Sequence, residues 1–176
     1  MTSKWAFPLL LTAVLFTGCV VKAPQFDSAK RIAQSLLATD DATDDSVDYL
    51  WTAKVGDEGR IVKVHNEGQL FVFISEQGDV LAFDGWAIRA VSGFGDDVMR
   101  QIVVDGDRRQ YIDDGPPATR ECSPWSQRKV EGNTQWVQDC EKQMRPNTIL
   151  VRADGSIGEI SQVVSSSGVR ALLRPL

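Results

Sequence analysis

Tyr49–Ser75 reads YLWTAKVGDEGRIVKVHNEGQLFVFIS. Three runs, YLWTAKV, RIVKVH and QLFVFIS, are apolar or alternate apolar with polar residues. Asp57-Glu58-Gly59 and Asn66-Glu67-Gly68 separate them. Alternation with a period of two places one set of side chains on a buried face, and Gly-containing turns at this spacing join antiparallel strands into hairpins. The same texture continues through DVLAFD, GWAIRAVS, MRQIVVD, RRQYI, TQWVQ, TILVRA, IGEISQVV and VRALL, with further turns at Glu76-Gln77-Gly78, Asp105-Gly106-Asp107 and Ala153-Asp154-Gly155. No helical crossover pattern falls between the runs, which argues against a parallel α/β sheet. The expected fold is mainly β, an antiparallel sandwich or barrel of short strands.

Upstream the pattern changes. FDSAKRIAQSLLA carries Phe26, Ala29, Ile32, Ala33, Leu36 and Leu37 at helical spacing, with Asp27 or Ser28 as N-cap. It predicts one N-terminal helix. TDDATDDSVD follows, with Asp40, Asp41, Asp44, Asp45 and Asp48. An EF-hand loop needs a central Gly and a terminal Glu. Both are missing, so the segment reads as a solvated acidic linker rather than a calcium site.

The first nineteen residues have the layout of a secretory signal: Lys4, an apolar stretch from Trp5 to Phe16, then small residues before a cysteine. The stretch is shorter than the ~20 residues of a spanning helix, and Pro8 interrupts it. Phe16-Thr17-Gly18-Cys19 resembles a bacterial lipobox, with Phe where Leu is usual. This organisation expects residues 1–18 to be a lipoprotein signal peptide, Cys19 to be the lipidated residue, 19–25 a tether, and 26–176 a single mainly-β domain. Several acyl chains at ~0.8 kcal/mol per buried CH₂ make such an anchor effectively permanent. By resemblance to enterobacterial sorting rules, Val20 after the cysteine, where Asp would retain the protein, directs it to the outer membrane, facing the periplasm.

The body after the signal is about 158 residues, enough for one substantial core. The whole chain carries a formal charge of -5, which argues against nucleic acid or an anionic lipid surface as a direct partner. Of three cysteines, Cys122 and Cys140 remain once Cys19 carries lipid. An oxidising compartment makes a disulfide the default. No CxxC and no histidine cluster favours a redox or zinc role.

Candidate catalytic residues are few. His65 is the sole histidine and lies on an expected strand; without an orienting partner it is a strand residue rather than a general base. Ser165-Ser166-Ser167-Gly168 is a strand connection, with no GxSxG motif. Gly93-Phe94-Gly95 is too short for a dinucleotide fingerprint. Asp96-Asp97 and Asp113-Asp114 could act as paired carboxylates on a glycoside. Both pairs sit in Gly- and Pro-rich turns, where Asp bonds its own backbone. Trp51, Trp86, Trp125 and Trp136 suit either core packing or stacking on sugar rings. No enzyme activity, no cofactor and no metal site is expected.

Two stretches carry a family resemblance. LAFDGWAIRAVSGFGDD, Leu81–Asp97, is similar to a strand-turn segment of the group 4 capsule (GfcB/YjbF-like) lipoproteins, with Gly85, Ser92, Gly93, Gly95 and Asp97 in the corresponding places and Phe94 where Leu is usual. The C-terminus, ILVRADGSIGEISQVVSSSGVRALLRPL, resembles the family ending through Asp154-Gly155, Ser161-Gln162, Leu173 and Pro175. The match covers about a quarter of the chain at motif level. The stretch between Arg100 and Gln143 is short for the family, and its usual aromatic residue is absent at Leu150-Val151-Arg152. The resemblance implies an all-β outer-membrane lipoprotein, a non-catalytic accessory of capsule or exopolysaccharide export, with export proteins or glycan as partners beside the membrane. The alternative is an envelope assembly or structural lipoprotein with no glycan role.

Overall fold

The structure is a computed structural model and describes residues 50–96 and 98–176. The signal, Cys19, the expected helix, the acidic linker and Asp97 lie outside the described residues.

Thirteen strands form one antiparallel sheet among the described residues. They are β1 (Leu50–Val55), β2 (Glu58–Glu67), β3 (Leu70–Ser75), β4 (Val80–Phe83), β5 (Ile88–Ser92), β6 (Arg100–Asp105), β7 (Arg108–Ile112), β8 (Ala118–Glu121), β9 (Ser126–Val130), β10 (Asn133–Gln138), β11 (Asn147–Val151), β12 (Ile157–Val163) and β13 (Arg170–Pro175). The order β8-β7-β6-β5-β4-β3-β2-β1-β13-β12-β11-β10-β9 describes two meanders, joined where β13 returns to pair with β1. The β1–β13 ladder, with Ala53 opposite Leu173, makes a single sheet out of what a sandwich would stack as two. The sheet curls into a half-barrel around its own inner face, so the sandwich expectation is corrected.

Tight turns set much of this. Gly56-Asp57, Gly68-Gln69 and Gly106-Asp107 are two-residue links, each with glycine first and at positive φ (59°, 65° and 58°). Glycine at that position matches the turn twist to the strand twist. The inner face is made of alternating residues, Ala53 and Val55 on β1, Leu81 and Phe83 on β4, Ile160 on β12, and Ala171 and Leu173 on β13, all nearly fully buried. Strands β3 to β5 also bury Val72, Ile74, Ala82 and Ala90, which lie outside that cluster. Burial on both faces is why these strands read as near-continuous apolar runs.

The two margins of the sheet meet at one corner. With every neighbouring pair antiparallel, β8 and β9 both run opposite to β1. They are successive parts of one segment that leaves one margin and joins the other. Cys122 N donates to Asp107 O (2.7 Å), still on the β7 side. Ser123 N donates to Asp139 O (2.7 Å), and Glu141 N to Glu121 O (2.9 Å), on the β10 side. Between them Cys122 and Cys140 face each other as an antiparallel bridge and form a disulfide.

Candidate functional site

The tight turn after β4 is built on Asp84. Its Oδ1 accepts from Trp86 N (2.9 Å) and Ala87 N (2.6 Å), and its Oδ2 pairs with Arg89 Nε. This fixes the backbone that presents Trp86. The segment between β8 and β9 supplies Trp125, and β10 supplies Trp136. The three indoles gather at one place: Trp86 lies 5.0 Å from Trp136 in an edge-on arrangement and 5.8 Å from Trp125 at a tilt. Trp125 and Trp136 pack against the core, whereas Trp86 is 47% exposed. About half of the Trp86 side chain is thus left to solvent while two other indoles hold the rest.

Beneath the indoles lies a buried polar network. Arg109, on the inner face of β7, is 1% exposed. Its Nε donates to Gln138 Oε1 on β10 (2.8 Å), its Nη1 to Gln162 Oε1 on β12 (3.0 Å), and its guanidinium carbon sits 5.7 Å from the Trp125 ring centre. Gln162 Oε1 also accepts from Ile88 N (3.1 Å), and its Nε2 donates to Trp86 O (2.8 Å). One glutamine therefore links the charge below to the backbone of the exposed tryptophan. Among the described residues Arg109 has no carboxylate at ion-pair distance. Burial lowers its pKa to about 10, with Arg89 acting in the same direction while Tyr111 and Asp84 oppose it. The guanidinium stays charged at neutral pH, balanced by amide oxygens and an indole face.

The other sequence candidates are framework. Asp79 accepts from Phe94 N (2.6 Å), Ser75 Oγ (2.7 Å) and Arg60 Nε (3.0 Å). Burial pushes its carboxyl up, but these bonds outweigh it and hold the pKa below the usual range. Gly93 is required there, because a Cβ would lie 2.3 Å from Asp79 Oδ1. Gly93-Phe94-Gly95 is thus a corner that holds the Phe94 side chain in the core at φ 60°. Asp96 pairs with Arg100, and Asp113 receives Ser166 N and Oγ at 2.8 Å each. Asp96 and Asp113 are each engaged, Asp96 by Arg100 and Asp113 by Ser166, with the Arg100 charge also favouring the ionised Asp113. His65 lies on β2 opposite Val72. Trp51 packs edge-on to Phe73, 5.3 Å away, apart from the other tryptophans. No metal-holding group of His, Cys, Asp and Glu occurs among the described residues.

Sequence reasoning named the tryptophans but not the residues under them. The signal for Arg109 was its spacing from Tyr111, which places both on one face of β7. For Gln162 it was a polar residue on the inward register of ISQVV.

No family model and no curated protein matches the chain. Among solved structures, the hypothetical lipoprotein YmcC from Escherichia coli K12 matches with a TM-score of 0.53 and 11% identity, covering 86% of this chain and 91% of that one. The chain has the YmcC fold. The all-β architecture implied by the motif resemblance is the architecture found, and it is shared with a protein described as a lipoprotein. At this identity the likeness to YmcC carries the fold and nothing finer. Within this chain the motif residues fall in and around the site: Gly85 precedes the exposed tryptophan, Gly93 closes the Asp79 corner, and Gln162 anchors the network under the indoles.

Proposed function

We propose that this chain is a lipid-anchored accessory lipoprotein of capsule or exopolysaccharide export. It is held at the outer membrane through Cys19, faces the periplasm, and acts by binding rather than catalysis. Residues 1–18 are removed on export, 19–25 tether the protein, and 26–176 form its one domain. The observation that carries the reading is a fold shared with a lipoprotein over most of both chains, joined to Phe16-Thr17-Gly18-Cys19. The absence of catalysis is supported by Asp96 and Asp113, whose carboxylates are engaged by Arg100 and Ser166. The partners are export proteins or the glycan itself.

Deleting the gene and measuring surface polysaccharide tests this. The expected result is a reduced amount or altered chain length, restored by the wild-type chain and not by Cys19→Ser, which would fractionate away from the membrane. Unchanged polysaccharide would refute the export role and leave an envelope structural lipoprotein with no glycan role.

A further inference from the structure

The geometry points to the corner formed by Trp86, Trp125 and Trp136 over Arg109 as a binding site for an acidic sugar residue of a glycan chain. The inference rests on the export reading above and names the ligand class and the residues that would take it.

Three observations converge. First, the most exposed indole of the three is held in a fixed position. Asp84 fixes its backbone N–H, Gln162 binds its carbonyl, and two further indoles flank its ring. Second, the chemistry of an indole face suits a pyranose ring. The negative face of the ring attracts the slightly positive C–H hydrogens on one side of the sugar, while the hydroxyl groups at the rim stay in water. Third, the local charge is positive in a chain that is acidic overall. Arg89 is matched by Asp84. Arg109 is matched by no carboxylate, and it lies where water screens it least. A carboxylate on the bound sugar would be attracted by that charge without contacting the buried guanidinium. A neutral sugar would gain the stacking alone.

The site also bridges the two halves of the sheet. Trp86 and Arg109 belong to the β1–β8 meander, and Trp136, Gln138 and Gln162 to the β9–β13 meander. It exists only in the assembled half-barrel, so folding and binding are coupled through the same side chains.

The test uses the full-length lipidated protein in detergent and isothermal titration calorimetry. Oligogalacturonate is the acidic probe and cello-oligosaccharide of equal length the neutral one. Saturable binding of oligogalacturonate is expected, weakened several-fold between low and high salt, with neutral binding at least tenfold weaker and insensitive to salt. Trp86→Ala should weaken the acidic probe at least tenfold with an unchanged melting curve, and Trp86→Tyr should retain most of the affinity. Absence of saturable heat with both probes, or a Trp86→Ala variant that binds like wild type, overturns the site. Equal, salt-independent binding of the two probes overturns its acidic preference. These results are independent of the deletion phenotype: a failed titration with reduced surface polysaccharide removes the site and leaves the export role, and the converse removes the export role and leaves the site.

Discussion

Removing the Cys122–Cys140 bridge should weaken the fold by an amount that the chain length between the cysteines sets. The two residues are 18 apart in sequence. Loop-closure entropy for a crosslink of that length gives about 3 kcal/mol at 25 °C. A domain of about 150 residues has an unfolding entropy near 0.32 kcal/mol/K, so that loss corresponds to a fall in Tm of about 10 °C. The Cys122→Ala, Cys140→Ala double variant, melted by circular dichroism beside the wild type, measures it. The location of the bridge adds a second expectation. It lies where the chain passes from one sheet margin to the other, with Ser123–Asp139 and Glu141–Glu121 hydrogen bonds flanking it. Amide exchange should therefore rise first at residues 121–123 and 139–141 and stay slow along β1 and β13. A stability loss under about 1 kcal/mol, or exchange that rises evenly over the sheet, would refute the idea that the bridge clasps the margins.

Gly93→Ala should cost roughly 2–4 kcal/mol in urea unfolding, since the new Cβ would meet Asp79 and the site holds φ +82°; Gly132→Ala, in an open turn with nothing near its Cβ, should cost clearly less. Arg109→Met strips Gln138 Oε1 of its charged donor and should lose roughly 2–4 kcal/mol; a neutral result would mean that the glutamines re-pair without it. Asp79 and Asp113 both titrate below the ordinary carboxylate range when folded. Their contribution is therefore complete above the unfolded value of about 3.9 and is lost as pH falls through their lower folded values. Asp79→Asn should be less stable than wild type at pH 7, with the gap narrowing below about pH 4; a constant gap across that range would contradict the assigned bonds.

Eleven apolar or alternating runs in the sequence each became a strand, and RRQYI did so to the residue. The two strands that reasoning missed are β8 and β9. ATRE alternates only between half-buried and exposed, and SQRKV is exposed throughout. These are the margins of the sheet, where one side of the backbone has no ladder and charged side chains discourage pairing with other molecules. A strand with no buried face leaves no hydrophobic period to read. The sandwich expectation fell for a related reason, since β1–β13 pairing joins the ends of the described chain and leaves no local trace. The candidate site was half legible. Tryptophan suggested stacking, but Trp86 and Trp136 approach only because the sheet curls. Arg109 shares a face of β7 with Tyr111, but nothing in RRQYI indicates that Gln138 of β10 and Gln162 of β12 would bond it.

The order in which the ladders can form follows from the β1–β13 pairing. In a chain delivered amino end first, β1 to β8 can zip together by short hairpins as they emerge, and β9 to β13 can do the same. The ladder between Trp51 and Pro175 must wait for the last residues. Until then β1 lacks the β13 ladder along one backbone edge, the kind of surface on which partly folded β proteins aggregate. Closure of the described sheet is therefore gated by β13, and a chain stalled or trimmed before Arg170 would keep its hairpins without the β1–β13 ladder.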